Sequence, residues 1–354
     1  MKILSLPLAL ALAAPTIASP LSPRASPPPW TILPTATRQQ FRGLSAISPT
    51  TAWAAGTNTT ILRTTDSGLT WTSVGPTLSP NDTNKPLEFR DIEAFSPLSA
   101  VALSIGEGAA SRIYTTSDGG ASWTNVFTNS DPAAFYDCMA FDGPLRGMAV
   151  SDPVGGKFRL LRTDDGGESW EVVSGDGMPA ALSGEFGFAA SGTCLEARAG
   201  RWYIASGGPG SSRVFRSSDK DGLIWEVAES GIVSGEAAGV YSVQFRDGRN
   251  GIVVGGDYTA PGARVNVSSW TADGGETWSV SREFPGGYRS GSAWVPGRCG
   301  TAIAVGPTGS DFTVDGGKTW RGFDNGSFDS VVCVTGGVCW ASGQRGRIGR
   351  LVLG

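Results

Sequence analysis

The sequence contains no histidine, and this absence excludes several kinds of active site. Without an imidazole there is no Ser-His-Asp triad, no Cys-His pair, and no zinc or haem held by histidine. Proton transfer would depend on carboxyl, tyrosine or lysine side chains. We expect no cofactor and predict no metal-ligating residues.

Charged residues are scarce, at 17% of 354 residues, and the formal net charge is −4. Lysine and arginine are spread along the chain, so the basic surface typical of a nucleic-acid-binding protein is missing. In contrast, the chain has 51 glycines and 12 tryptophans. This composition favours many short strands joined by tight turns over long helices.

No apolar run reaches the ~20 residues that a membrane-spanning helix needs. The apolar run at residues 3–14 follows Lys2 and precedes the small-residue site Thr16-Ile17-Ala18, a pattern that predicts a signal peptide over residues 1–18. Residues 19–29 are rich in proline and serine and should form an extended linker. We predict that residues 30–354 form the domain of a secreted, extracellular monomer.

Five cysteines in an oxidising compartment predict two disulfides and one unpaired thiol. Cys333 and Cys339 flank a short turn with two glycines, which would place them opposite each other in a hairpin. The second predicted pair is Cys138 with Cys194, and it leaves Cys299 free.

Four acceptor sequences for N-linked glycans fit the same compartment. They begin at Asn58, Asn81, Asn266 and Asn325.

A short pattern that ends in tryptophan recurs along the chain, first as Thr65-Asp66-Ser67-Gly68-Leu69-Thr70-Trp71. Its aspartates recur at intervals of 42 to 54 residues, which is the length of a four-stranded propeller blade with its loops. They are Asp66, Asp118, Asp165, Asp219, Asp273 and Asp315, of which Asp219 belongs to a degenerate copy with one extra residue before the glycine.

The chemistry of this pattern is structural. The aspartate can accept hydrogen bonds from backbone amides one to three residues further on, glycine supplies positive φ, and the tryptophan can bury its ring between neighbouring blades. Neither the spacing nor the number of possible ligands fits an EF-hand calcium loop.

The repeat predicts an all-β, seven-bladed β-propeller. Its blades should begin near Phe41, Phe89, Phe135, Phe186, Val240, Tyr288 and Phe328. The seventh unit has only three strands, while Trp30-Thr31-Ile32-Leu33 is similar to Trp71-Thr72-Ser73-Val74. We therefore expect the N-terminal strand to complete the last blade and close the ring, which leaves no open sheet edge between the first and last blades.

The repeated pattern resembles the Asp-box, or BNR repeat, of sialidases, sortilin-type receptors and photosystem II assembly factors. The chain is most similar to secreted fungal and bacterial relatives of the photosystem II assembly/stability factor-like family. Further segments that carry this resemblance are Ser151–Phe158, Phe188–Thr193, Gly255–Tyr258 and Gly287–Ser290. The resemblance implies a seven-bladed propeller within the sialidase-like superfamily. Phe41-Arg42-Gly43-Leu44 lies where sialidases carry an arginine motif, but the isoleucine-proline pair that follows it there is absent.

The candidate site lies on the loops that lead into the innermost strands or join second to third strands, because function is usually carried on loops over a rigid scaffold. Candidate catalytic residues are Asp137, Asp152, Glu185, Asp257 and Tyr258. Candidate ligand-binding residues are Arg42, Arg90, Tyr136, Lys157, Tyr288 and Arg289.

Two functions suit such a set of carboxylates, tyrosines and arginines. One is binding of a polar extracellular ligand, a glycan or a glycoprotein. The alternative is a carbohydrate-active enzyme, a glycoside hydrolase or polysaccharide lyase, that works in the central channel. A shallow, plugged channel favours binding, whereas a deep pocket with paired carboxylates and an aromatic wall favours catalysis.

Overall fold

The computed structural model describes residues 26–78 and 86–354, which form seven antiparallel four-stranded sheets. The predicted signal peptide, residues 19–25 of the predicted linker and Asn81 lie outside the described residues. Residues 26–29 of that linker have no regular secondary structure.

Each blade is a meander in which the strands follow one another outward from the ring centre. Blade 1 contains β2 (Phe41–Ala46), β3 (Ala52–Gly56), β4 (Ile61–Thr64) and β5 (Thr72–Ser73). Blade 2 contains β6 (Glu88–Ala94), β7 (Ala100–Ile105), β8 (Arg112–Thr116) and β9 (Thr124–Thr128). Blade 3 contains β10 (Tyr136–Asp142), β11 (Arg146–Val154), β12 (Lys157–Thr163) and β13 (Glu171–Val172). Blade 4 contains β14 (Leu195–Arg198), β15 (Arg201–Ala205), β16 (Arg213–Ser217) and β17 (Trp225–Glu229).

The remaining blades follow the same order until the last. Blade 5 contains β18 (Ala238–Phe245), β19 (Gly251–Asp257), β20 (Ser268–Thr271) and β21 (Ser279–Val280). Blade 6 contains β22 (Gly291–Trp294), β23 (Ala302–Gly306), β24 (Gly309–Thr313) and β25 (Arg321–Asp324). Blade 7 contains β26 (Ser330–Val334), β27 (Val338–Ser342), β28 (Ile348–Val352) and, outermost, β1 (Thr31–Leu33).

The first strands of successive blades contact each other around the whole circle, and β26 of blade 7 contacts β2 of blade 1. The predicted all-β, seven-bladed propeller is therefore confirmed. Helix is confined, in the part of the chain that the structure describes, to the 3₁₀ turns Gly108–Ala110 and Gln344–Gly346. Neither of these turns is long and apolar enough to cross a membrane.

Blade 7 is completed by the N-terminal strand, as the sequence predicts. In β1, Thr31 pairs with Arg350 and Leu33 pairs with Ile348. Trp30 precedes this strand and is buried, with its ring centroid 5.3 Å from that of Phe328. Because β1 and β28 come from opposite ends of the described chain, their pairing locks the ring shut.

The core lies between the blades, where the faces of adjacent sheets meet. The middle strand β3 is buried along its whole length, whereas the outermost strand β5 is exposed. The largest fully buried side chains include Trp53, Trp202 and Trp340. Ring edges meet across blade boundaries, as where Trp71 of blade 1 lies 6.1 Å from Trp340 of blade 7. This packing explains why the sequence needs so many aromatic residues.

The recurrent aspartate turns share one hydrogen-bond pattern. In the first, Asp66 accepts from the backbone amide of Thr70 at 2.9 Å and from its hydroxyl at 2.6 Å. Thr64 also donates its hydroxyl to Asp66, at 2.8 Å. The same three bonds recur at Asp118, Asp165, Asp273 and Asp315.

These bonds favour the ionised carboxylate, so the hydroxyl of Thr70 and the other donors lower the pKa of Asp66 to about 2. The amide that Asp66 binds lies four residues ahead, slightly further than the sequence pattern suggested. At the degenerate copy, Asp219 instead accepts from the amides of Asp221, Leu223 and Ile224.

Both predicted disulfides are present. Cys138 of blade 3 is bonded to Cys194, which directly precedes the first strand of blade 4. Cys333 and Cys339 face each other across the β26–β27 hairpin, with a Cα–Cα distance of 4.0 Å. Cys299 is unpaired and exposed.

Candidate functional site

Blade 4 departs from the predicted repeat, because its first strand begins at Leu195 and not near Phe186. Residues 186–193, here called the plug, instead reach into the central channel. In the plug, Ser191 donates its hydroxyl to the carbonyl of Ser290 in blade 6 at 2.7 Å. On the other side of the channel, Arg90 of blade 2 donates to the carbonyl of Ala189 at 2.6 Å.

The plug also contacts blades 5 and 7. Thr193 donates its hydroxyl to Ser242 at 2.8 Å, and Ser330 donates to the carbonyl of Ser191 at 3.2 Å. A segment of blade 4 that bonds to blades 2, 5, 6 and 7 must cross the ring axis. Sequence periodicity missed this feature, because Phe186-Gly187-Phe188 looks like the start of one more buried strand.

Above the plug lies a cavity of about 540 Å³, here called the mouth. Its walls come from the beginnings of first strands and from the loops between second and third strands, as the sequence predicts for a propeller site. Charged and aromatic side chains line much of it, among them Arg42, Arg90, Asp137, Asp152, Phe188, Tyr241, Tyr258, Tyr288 and Asp329.

Six of the candidate residues line this mouth, and they come from blades 1, 2, 3, 5 and 6. They are Arg42, Arg90, Asp137, Asp152, Tyr258 and Tyr288. The structure brings both acids of blade 3 to the same cavity as the arginines of blades 1 and 2.

The other five candidates have structural partners and do not line the mouth. Arg289 donates to Asp311 at 2.6 Å, and Glu185 accepts from Arg213 at 2.9 Å and from Ser206 at 2.6 Å. In both ion pairs the acid is almost fully buried. These bonds occupy the side chains that the sequence suggested for ligand binding or catalysis.

Asp257, Lys157 and Tyr136 are also not among the residues that line the mouth. Asp257 accepts from the amide and hydroxyl of Thr259, and Lys157 donates to the carbonyl of Gly175 at 2.8 Å. Tyr136 is buried against Phe127, with ring centroids 5.6 Å apart. Loop position alone did not reveal these local partners.

Two carboxyls from blade 3, Asp137 and Asp152, form the acidic wall. Asp137 is 2% exposed, and its Oδ2 has no hydrogen-bond partner in the structure. Asp152 accepts from the amide of Gly187 in the plug at 2.8 Å. Burial raises the pKa of Asp137 well above its ordinary range, and the charge of Asp152 raises it further.

Burial also raises the pKa of Asp152 to about 6. The pair therefore offers a protonated carboxyl as hydrogen-bond donor beside a carboxylate as acceptor near neutral pH. Such a pair can bind a hydroxyl group or transfer a proton to it.

A basic wall faces the same cavity. Arg90 is held by Glu88, to which its Nε donates at 2.8 Å. Burial lowers the pKa of Arg90, and the positive charge of Arg42 lowers it further, so the two guanidinium groups lie near each other. Arg42 lies 4.0 Å from Asp329, and its buried Nε has no hydrogen-bond partner.

Aromatic rings form the third wall. Phe188 of the plug stacks on Tyr241 with centroids 3.7 Å apart, and Tyr241 meets the edge of Tyr288 at 4.6 Å. Tyr258 lies on the rim and is 56% exposed. The candidate set did not include Phe188 or Tyr241, because only the position of the plug brings the two rings together.

The acid pair makes stability depend on pH. Unfolded Asp152 ionises near pH 4 and folded Asp152 near pH 6, so the folded state holds the extra proton and stability falls as pH rises between these values. Asp152→Asn should remove this fall in the free energy of unfolding, which amounts to about 2 kcal/mol. The amide oxygen of the new asparagine can still accept a hydrogen bond from the amide of Gly187. Urea denaturation from pH 4 to 7 measures the effect. An unchanged pH slope in the variant would contradict it, and Asp164→Asn at an exposed position is the control.

A second cavity, of about 630 Å³, lies on the other side of the plug. It is lined by Glu93, Glu196, Trp294 and Cys299, among others. The plug therefore divides the channel into two separate openings, and the predicted residues gather at only one of them.

A scan against protein-family models and a search of the curated proteins give no match to this chain. Solved structures do match. YCF48 bound to D1 peptide has a TM-score of 0.64 at 17% identity, over 93% of this chain and 100% of that one. YCF48 from Cyanidioschyzon merolae has a TM-score of 0.59 at 15% identity, over 92% and 99%.

An ancestral GH74 enzyme has a TM-score of 0.62 at 14% identity, over 91% of this chain and 46% of that enzyme. At such low identities the likeness concerns the fold alone. The chain is a seven-bladed β-propeller that shares its architecture with YCF48 and with part of a GH74 enzyme.

Proposed function

We propose that this protein is a secreted propeller whose mouth binds a polar extracellular ligand, a glycan or a glycoprotein. The observation that carries the proposal is a cavity, open at one side, in which charged and polar groups lack protein partners. The Oδ2 atom of Asp137 and the Nε atom of Arg42 are both buried and unbonded. A ligand with hydroxyl or carboxylate groups would supply the missing bonds.

The plug blocks the channel, so a polymer cannot thread through it. This favours a function in which the ligand binds at the mouth. The plug forms the floor of the mouth, so a ligand enters and leaves by one opening. The rim residue Tyr258 offers an exposed aromatic face at that opening, and such faces pack well against the apolar side of a sugar ring or a peptide.

The proposed location rests on the signal-like leader and on the two disulfides, which form and persist outside the cytosol. The likeness of the recurrent turns to the Asp-box of the sialidase-like superfamily is part of the same proposal. YCF48 has been solved with a bound peptide, so peptide stretches of glycoproteins are a second class of probe beside free glycans.

A printed array of cell-wall oligosaccharides and glycopeptides, followed by calorimetric titration of the tightest oligosaccharide, tests the proposal. Arg42→Ala and Tyr258→Ala should each weaken binding by about tenfold or more, because each removes about 1.4 kcal/mol or more of contact free energy. Arg63→Ala, in the outer half of blade 1, should leave affinity unchanged. Equal affinities in all variants would place the ligand elsewhere.

The paired carboxyls favour a second candidate function, that of a glycoside hydrolase or polysaccharide lyase. Asp137, with its raised pKa, would be the proton donor and Asp152 the base, and Tyr258 is a further candidate on the rim. A GH74 enzyme contains a propeller of this kind, so the fold is compatible with enzyme activity. In this proposal Glu185 and Asp257 have no catalytic part, because protein groups occupy them.

Product release separates the two functions. Reducing-sugar or unsaturated-uronide release from plant and fungal polysaccharides, abolished by Asp152→Asn while oligosaccharide binding persists, would establish the enzyme. Binding without product release in the wild type would leave the mouth as a binding site.

A further inference from the structure

The acceptor asparagines that the structure describes share one face of the ring. Asn58 lies in the β3–β4 loop, Asn266 in the β19–β20 loop and Asn325 in the β25–β26 loop. Loops between second and third strands and loops that lead into first strands surround the mouth. All three asparagines are exposed.

Two of these asparagines occupy turn tips. Asn58 has φ 57° and Asn266 has φ 54°, left-handed conformations that project the residue from a tight turn. The loop that ends at Asn266 also carries Tyr258 and Pro261, which line the mouth. A glycan on Asn266 would therefore stand on the same loop as part of the rim.

Asn325 approaches the same face from the connection between blades 6 and 7. Four residues after it, Asp329 lies in the wall of the mouth, 4.0 Å from Arg42. Asn58 approaches from blade 1, where the amide of Thr59 donates to the carbonyl of Leu87, just before the first strand of blade 2. The three acceptors thus share the face that carries the mouth, on blades 1 and 5 and in the connection between blades 6 and 7.

The opposite face differs. In the described part of the chain, the turns between first and second strands and between third and fourth strands contain no acceptor sequence. That face carries the recurrent aspartate turns and the exposed thiol of Cys299, to which Arg246 donates at 3.5 Å. The distribution of acceptors is therefore one-sided.

We infer that N-linked glycans on Asn58, Asn266 and Asn325 form a collar around the mouth. The collar admits a slender ligand, such as one glycan chain or an extended peptide, and holds folded domains away, because a branched glycan is bulky and well hydrated. The opposite face remains open to protein partners. This inference rests on the proposed secretion and narrows the ligand class of the proposed binding site.

The test compares the accessibility of two thiols in one molecule and needs no ligand. Tyr258→Cys places a thiol on the rim, and the native Cys299 reports on the opposite face. The protein is made in a eukaryotic secretory host and labelled with a small maleimide or with a long polyethylene-glycol maleimide. A second portion is labelled after the folded protein is trimmed with an endoglycosidase, which avoids any variant that fails to fold.

Glycopeptide mass spectrometry should find all three asparagines occupied. The long reagent should label the rim thiol about tenfold more slowly before trimming than after it. This ratio corresponds to a steric barrier of about 1.4 kcal/mol. The small reagent at the rim and both reagents at Cys299 should be unaffected. Unoccupied asparagines, or equal rim labelling before and after trimming, would overturn the collar. These labelling rates do not depend on any ligand. A protein that fails to bind the proposed ligand would therefore still show the collar, and failure of the collar can be told apart from failure of the proposed function.

Discussion

Trp30→Ala is expected to lower the free energy of unfolding by about 3–5 kcal/mol, because it removes a buried aromatic ring directly before the strand that closes the propeller. Trp30 is 6% exposed and packs between Phe323 and Phe328. Its indole nitrogen donates to the hydroxyl of Ser310 in blade 6 at 3.0 Å. One side chain thus joins blades 6 and 7 at the seam where the two ends of the described chain meet.

Chemical denaturation followed by tryptophan fluorescence and circular dichroism measures this effect. Ile32→Ala is the matched control, because Ile32 lies two residues further along, within β1, but is 47% exposed. Its cost should stay below about 1 kcal/mol. If both substitutions cost the same small amount, closure by β1 would contribute little to stability.

Asp311→Ala should destabilise the protein by about 3–5 kcal/mol, since it leaves the guanidinium of Arg289 buried without its counter-ion. Both side chains of this pair are 2% exposed. Asp311 also accepts from the amide of Gly286 at 3.0 Å, so the substitution removes a second bond at the same place. Burial already lowers the pKa of Arg289, and loss of Asp311 would remove the charge that counteracts this.

Two comparisons separate the loss of pairing from simple truncation. The double variant Arg289→Met/Asp311→Leu should recover most of the lost stability, because it leaves no unpaired charge in the core. Glu171→Ala removes a partner of Arg162 that is 67% exposed, and it should cost less than about 1 kcal/mol. A single Asp311→Ala variant as stable as Glu171→Ala would show that the buried pair is dispensable.

Some candidate side chains already have protein partners and others do not, and this difference decides which of them are free to contact a ligand. Arg289 and Glu185 are satisfied within the protein, whereas Arg42 and Asp137 each keep a buried atom without a partner at the mouth. Chemistry at the mouth therefore depends on the unsatisfied groups. The same reasoning favours Asp152, with a pKa of about 6, over Asp257, whose pKa is lowered by its bond to Thr259.

The sequence by itself determined the ring. An aspartate turn followed by tryptophan recurs once in each of six blades, and local bonds such as those between Asp66 and Thr70 fix each turn without help from distant residues. The similarity of the segments at Trp30 and Trp71 predicted the closing strand, and the short turn between Cys333 and Cys339 predicted one disulfide. These features depend on neighbours in the chain, so a linear pattern records them.

Only the tertiary structure decided how the channel is divided and which polar groups remain available. The plug at residues 186–193 is held by Ser290, Arg90 and other residues of distant blades, and no periodic pattern encodes such partners. Lys157 and Tyr288 looked alike as loop candidates, yet one bonds to a nearby carbonyl and the other faces the mouth. The direction of a loop side chain is set by packing between blades, and that packing exists only once the ring has closed.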